Sequence, residues 1–314
     1  MRLLINARPI SPVLNDVPDI SMFSIWWLAI RPKTLSISLT PVLLGSALAW
    51  HEQQQLSLSI FIVTLISALT IQIGTNLYND AVDYEKGADT HQRLGPRRAA
   101  QQGWLTAQEI KTGALLSFIF AFISGTYLAW TGGWPIIILG LLSILCGYAY
   151  TAGPKPIAYS PFGELFVLIF FGFAAVSGSY YLQTLNINLI TLLVSSTIGS
   201  MAAAILLVNN YRDLEGDEKA HKLTLVHYTG RPAARILYSL MLLYPYLCIL
   251  FLIKDFSWLI LLPMLSLPMA IKLIIDFSAM DISSALNQIL TRTAQLQLVY
   301  TVLFVLAMLF NMNS

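Results

Sequence analysis

The stretch NLITLLVSSTIGSMAAAILLVNNYRDLEGDEKAHK, residues 188–222, joins two unlike halves. From Asn188 to Tyr211 it carries no charge, which is long enough for one helix to cross a hydrocarbon core that needs about 20 apolar residues. From Arg212 onward the charges crowd together. The first half reads as a transmembrane helix and the second as a polar head held at one membrane boundary. The rest of the chain repeats the first half. Of its 314 residues 56% are hydrophobic and 11% charged, with mean hydropathy +0.69, whereas a soluble domain carries roughly 25% charged residues. A water-soluble domain is excluded.

Apolar runs place nine spans near 33–50, 56–78, 112–130, 134–152, 163–183, 188–210, 236–253, 257–275 and 293–310. The runs are continuous instead of alternating, so they predict helices and not barrel strands. The expected fold is an all-α polytopic bundle occupying 21–314, preceded by an N-terminal extension at 1–20 that lacks the pattern of a signal peptide. SMFSIWWLAI at 21–30 is too short to span and suits an interfacial helix with Trp26 and Trp27 at headgroup level. Cys146 and Cys248 fall inside spans and read as small buried hydrophobes.

Lys and Arg gather in the N-terminal segment and in the connections after spans 2, 4, 6 and 8, whereas the other side holds only Lys254. Lys272, near a span end, can snorkel. By the positive-inside rule the N-terminus and these loops are cytoplasmic, and an odd number of spans puts the C-terminus outside.

Segments 79–111 and 211–235 hold 19 of the 34 formal charges. A solvated loop of mixed charge is the bland reading, and the spacing argues past it. Asn76, Asp80 and Asp83 stand at i, i+4 and i+7, and Asn209, Asp213 and Asp217 at i, i+4 and i+8, each set on one helix face. Aligning Asn76 with Asn209 also pairs Tyr78 with Tyr211 and Lys86 with Lys219, a weak internal repeat. Carboxylates at a membrane boundary are costly unless paired or bound to a cation. Oxygen ligands without Cys or His favour a hard cation such as Mg²⁺, which takes one or two carboxylates plus phosphate oxygens. Two such faces would bridge a diphosphate, with Arg93, Arg97, Arg98, Arg212, Lys219 and Lys222 balancing its charge. A bundle of this size suits a diphosphate attached to a long isoprenoid.

NLYNDAVDYEKGAD at 76–89 and NNYRDLEGDEKAHKLTL at 209–225 resemble the two aspartate-rich motifs of the UbiA-type membrane prenyltransferases, and within them the enzymes that prenylate 1,4-dihydroxy-2-naphthoate. IRPKTL at 30–35, RLGPRR at 93–98, YTAGPKP at 150–156, GELFVLIFFG at 163–172 and GSYYLQ at 178–183 are similar to that subfamily as well. The resemblance implies nine helices, Mg²⁺ dependence, a site open to the cytoplasmic side and residence in a bacterial inner membrane. Two departures stand out. Gly87 occupies the last position of the superfamily's first motif, which leaves Asp89 either to replace that carboxylate or to cap the loop. His221 stands where a glycine is frequent.

The reaction implied is Mg²⁺-assisted transfer of a polyprenyl group from its diphosphate to 1,4-dihydroxy-2-naphthoate, with loss of CO₂ and diphosphate, giving demethylmenaquinone. Asp80, Asp83, Asp213 and Asp217 are the expected metal ligands, with Asp80 and Asp213 central to catalysis. Asn76 and Asn209 assist on the substrate side, and Arg93, Arg97, Arg212 and Lys222 contact phosphate. Tyr150 either lines the acceptor pocket or belongs to an interfacial belt, and Arg31 either guides an anionic acceptor or anchors the loop. Glu85, Glu218, His91, His221 and His227 read as loop residues. Besides its two substrates the partner is membrane lipid, and no nucleic acid is expected. A 4-hydroxybenzoate or homogentisate acceptor would look much the same at the diphosphate end. A secondary transporter would keep ionisable residues near the midplane, whereas these sit at one boundary.

Overall fold

The computed structural model describes residues 21–88, 93–254 and 256–310. The extension at 1–20 with its Arg2 and Arg8, the loop residues Asp89 and His91, and the last four positions lie outside them. Among the described residues every regular element is helical, as the continuous apolar runs require.

A short α1 (Met22–Ala29) leads into α2 (Pro32–Gln53), α3 (Leu58–Glu85), α4 (Ala107–Gly132) and α5 (Trp134–Ala149). A loop with one 3₁₀ turn (Ile157–Tyr159) precedes α6 (Gly163–Val167), which runs through a π-helical segment (Leu168–Ala174) into α7 (Ala175–Thr184). The long α8 (Leu189–Lys219) and α9 (Leu225–Leu252) follow. A 3₁₀ segment (Trp258–Ser266) then feeds α10 (Leu267–Ala279), and α11 (Leu286–Phe310) closes the bundle. Seven of the described rods are long and apolar enough to cross a membrane: α3, α4, Gly163–Thr184, α8, α9, Trp258–Ala279 and α11. The apolar α5 is shorter, at 16 residues. α2 is outside that set and carries Thr34, Ser36, Ser38 and Thr40 in its first half.

The main core joins α2, α8, α9 and α11, with Leu44, Ile198, Leu242 and Phe304 fully buried. A second cluster of Ile25, Leu77 and Ile110 ties α1 to α3 and α4. Trp26 packs inward against that cluster, and of the two only Trp27, 51% exposed, faces outward. Outward faces are apolar too, as Phe120 and Ile123 on α4 and Phe251 on α9 show, the reverse of a soluble surface.

Close helix approach depends on small residues where lipid offers no hydrophobic drive for association. A Cβ added at Gly199 of α8 would lie 2.4 Å from the Leu168 carbonyl oxygen, and one at Gly172 would lie 2.5 Å from that of Ser195. The π segment is therefore seated directly on α8, which fixes where the α6–α7 rod begins. α9 is broken at Gly230 (φ 74°), and the straight rod starts just beyond it, near the expected 236. α3 and α8 run past their apolar stretches and carry both aspartate-rich motifs on continuous helix.

Candidate active site

α3 and α8 deliver their polar ends to the same end of the bundle, above a cavity of about 360 Å³ that descends between α2, α3, α5 and the α6–α7 rod. Its upper wall holds Arg31, Asn79, Asp83, Arg93, Asn209 and Lys222, whereas its lower wall reaches Leu128, Ile136 and Leu182. From Asp83 down to Thr64, both on the wall, α3 descends roughly 28 Å at 1.5 Å per residue. The chamber has a charged mouth and an apolar depth.

On α3 the face turned to the cavity is Asn76, Asn79 and Asp83. Asp83 is 3% exposed and accepts hydrogen bonds from Asn79 Nδ2 (2.9 Å) and from the Tyr159 hydroxyl (2.9 Å). Asn79 also donates to Thr151 Oγ1 (3.1 Å) and accepts from Arg31 (3.1 Å). Asn76, one turn deeper, donates to the Ile30 carbonyl (3.1 Å) and to Thr34 Oγ1 (3.3 Å). Arg31 holds a left-handed φ of 58°, sparsely populated for a side-chain-bearing residue, which aims its guanidinium at α3. Of the two expected aspartates only Asp83 faces the cavity. Asp80 is 1% exposed and accepts from the Ala99 amide (3.1 Å), which fastens the loop after α3.

On α8, Asp213 and Asp217 stand behind a cationic front. Arg93 approaches Asp213 at 3.7 Å and Lys222 approaches Asp217 at 3.3 Å, and both cations line the cavity. Lys222 is the joint between the two motifs. Burial alone would lower the pKa of its ammonium, but Asp217, Asp83 and Asp213 outweigh that and hold it above the ordinary lysine value. The chain brings it there by ending α8 tightly. His221 adopts φ 54°, and the Lys222 amide returns to the Asp217 carbonyl at 2.8 Å, a left-handed cap normally given to glycine.

Arg212 is not a cavity residue. Its side chain is fully buried and forks onto both Asp213 oxygens, Asn209 Oδ1 (2.8 Å) and Asn287 Oδ1 on α11, where it sets the carboxylate's position. Asn287 in turn donates to the Leu94 carbonyl, so the bracket reaches the loop. A Cβ at Gly95 would lie 2.8 Å from both Arg212 and Arg93, which explains the glycine in RLGPRR. Arg97 is exposed and outside the cavity, and its neighbour Arg98 lines it. Tyr150 is on the cavity wall.

Among the described residues no three His, Cys, Asp or Glu side chains gather closely enough to hold a metal by themselves. The donors around Lys222 and Arg93 are Asn79, Asp83, Asn209, Asp213 and Asp217, all oxygen, and every one but Asp83 is held by a cation. That chemistry fits a hard divalent ion whose remaining positions are taken by an anionic ligand.

Charged mouth, apolar chamber and apolar exterior together define a helical membrane protein with a deep cavity that is polar at its entrance and apolar at its foot. Residues 38–290 match the model of the UbiA prenyltransferase family, and the chain belongs to that family. It is 35% identical over 299 residues to the 1,4-dihydroxy-2-naphthoate octaprenyltransferase of Haemophilus influenzae, covering 90% of this chain and 95% of that protein. The Escherichia coli protein of the same name is 35% identical over 237 residues, covering 74% and 77%. Among solved structures, a UbiA homologue from Archaeoglobus fulgidus bound to DMAPP and Mg²⁺ superposes with TM-score 0.66 at 15% identity, over 91% of this chain and 100% of that one. The apo structure of a homologue from Aeropyrum pernix gives TM-score 0.69 at 12% identity, over 88% and 98%.

Two residues that hold Asp83 went unpredicted, for different reasons. Asn79 is adjacent to Asp80 and one turn before Asp83, so an i, i+4 search started from Asn79 would have found it. Tyr159 comes from a loop 76 residues away and could not be found that way.

Proposed function

We propose that this chain transfers a polyprenyl group from its diphosphate to 1,4-dihydroxy-2-naphthoate, releasing CO₂ and diphosphate and forming demethylmenaquinol, the reduced form of demethylmenaquinone. The observation that carries the reading is the cavity itself. Lys222, Arg93 and Asp83 stand at its mouth and Leu128, Ile136 and Leu182 at its foot, a polarity that matches a charged head on a long apolar tail. The full-length resemblance to octaprenyltransferases of that acceptor supports the choice of substrates.

Asp83, Asp213 and Asp217, with Asn79 and Asn209, would hold Mg²⁺. When bound, the ion supplies Lewis-acid stabilisation of the charge that develops on the departing diphosphate. Lys222, Arg93 and Arg98 contact phosphate oxygens and neutralise them. Arg212 fixes Asp213, and Tyr159 fixes Asp83. Asp80 serves by holding the loop that brings Arg93 and Arg98 to the mouth, and Asn76 by holding the α1–α2 turn. Arg31 and Tyr150 sit on the acceptor side of the cavity. The apolar walls exclude water from the allylic carbon, so that the ring and not water captures it.

In this reading α2 and α5 also cross the bilayer, giving nine crossings in a cytoplasmic membrane. The site and N-terminus then face the cytoplasm and the C-terminus lies outside, as the placement of Lys and Arg favours. Membranes bearing the chain, given polyprenyl diphosphate and each acceptor in turn, test it. Prenylated product is expected with the dihydroxynaphthoate, and product from 4-hydroxybenzoate with none from the naphthoate would overturn the choice.

A further inference from the structure

At the inner edge of the charged mouth two buried polar side chains form a pair with no part in the proposed diphosphate chemistry. Glu164, in the first turn of α6, is 2% exposed, and its Oε1 accepts from Asn210 Nδ2 at 2.9 Å. Its Oε2 is buried and takes no hydrogen bond from any described residue. Asn210 is 3% exposed and lines the cavity. With Nδ2 committed to Glu164, the group it offers the cavity is Oδ1, which accepts from no described residue. The amide's orientation is not free. With Glu164 ionised its oxygens only accept, so turning the amide over would set oxygen against oxygen.

Glu164 Oε2 is therefore a buried acceptor without a donor, where buried polar groups are nearly always satisfied, and the Asn210 amide oxygen is beside it. A ligand that completes them brings either a donor or a cation, and the aromatic acceptor is the substrate that brings a hydroxyl donor. A diphosphate brings only acceptors, and a prenyl tail brings neither. Asn210 is seven residues before Asp217, roughly 10 Å deeper along α8 at 1.5 Å per residue. Asn210 directly follows Asn209, so the pair lies at the inner edge of the charged mouth, where the polar wall meets the apolar chamber.

We propose that Glu164 and Asn210 form the seat for a hydroxyl group of the aromatic acceptor, Asn210 receiving the hydroxyl and Glu164 acting as the positioning residue that fixes the Asn210 amide. This rests on the reading of the chain as an aromatic prenyltransferase and adds to it how the acceptor is distinguished from an unhydroxylated ring.

The test uses the full chain in detergent, with three probes: 1,4-dihydroxy-2-naphthoate kept reduced, 2-naphthoate lacking both hydroxyls, and geranyl diphosphate with Mg²⁺. One net hydrogen bond predicts that the wild type binds the dihydroxy acid on the order of tenfold more tightly than 2-naphthoate. Asn210→Leu should erase that preference. Glu164→Gln, whose amide lets Asn210 turn over, should reduce it and serves as the second variant if the first does not fold. Geranyl diphosphate should bind all three proteins alike. A preference that survives in both variants overturns the proposal, and so does a matching loss of geranyl diphosphate binding, which would place the pair among the metal ligands. If the wild type binds geranyl diphosphate but neither naphthoate, the acceptor reading itself falls and this seat falls with it.

Discussion

At the mouth of the cavity Asp80 and Asp83 lie three positions apart and do different work. Asp83 faces the chamber between Asn79 and Tyr159, whereas Asp80 holds the Ala99 amide. An Asn at position 80 still accepts from that amide, but an Asn at 83 removes a charge from the proposed metal site. Asp83→Asn should therefore lower transfer by about 10²–10³-fold, the scale of losing one preorganised electrostatic contact, and Asp80→Asn by much less, read as product formed in membranes. The reverse ranking would return Asp80 to the ligand set. Arg212 gives a second prediction. Lys at that position cannot reproduce a planar fork onto Asp213, Asn209 and Asn287. Arg212→Met leaves Asp213 buried with weakened compensation and should destabilise the protein by about 3–5 kcal/mol, seen as earlier thermal unfolding in detergent. The sequence made the charged faces legible because an i, i+4 rule places residues on a helix. It could not say which way each face turns, and in the structure Asn79 and Arg98 line the cavity whereas Asp80 and Arg97 do not. Glu164 and Tyr159 were invisible for a different reason, since their partners are far away in the chain.

The elements that set the site are α8 and the rod it carries. Gly199 and Gly172 let the π segment lie on α8 with backbone nearly in contact. Gly199→Leu has no room at 2.4 Å from a carbonyl oxygen, so α8 and the rod must part. A loss at or above the 1–3 kcal/mol typical of overpacking follows, and Glu164 moves away from Asn210 with it. The C-terminal cap of α8 predicts the opposite sign. His221 sits at φ 54° to return Lys222 to Asp217, a conformation that costs a side-chain-bearing residue roughly 1–2 kcal/mol. His221→Gly should leave prenyl transfer intact and unfolding temperature unchanged or higher, whereas His221→Val should lower both. Helix existence was the most legible feature, because uncharged apolar runs leave few alternatives in lipid. Helix ends were less so, since α3, α8, α9 and α11 all extend beyond their apolar stretches, where capping and tertiary bonds decide the boundary.

For the molecule as a whole, the scarcity of charge and its collection at one end become a single design. The outer surface is apolar, the interior chamber is apolar below, and Asp83, Arg93, Arg98 and Lys222 at its mouth come from the two segments that hold 19 of the 34 charges. The chamber should therefore discriminate by tail. Gly140 lines it with open space around the added Cβ, and Gly140→Phe should reduce use of long polyprenyl diphosphates while sparing geranyl diphosphate, a split seen in kcat/KM across donors. The central claim is that this mouth joins a polyprenyl diphosphate to a carboxylated dihydroxynaphthalene with loss of the carboxyl group. The most direct measurement is release of labelled CO₂ from carboxyl-labelled 1,4-dihydroxy-2-naphthoate by membranes bearing the chain. One CO₂ per prenylated product is expected, abolished by chelation, restored by Mg²⁺ and absent in Asp83→Asn. Prenylated product that retains the label, or release that persists unchanged under chelation, would contradict it.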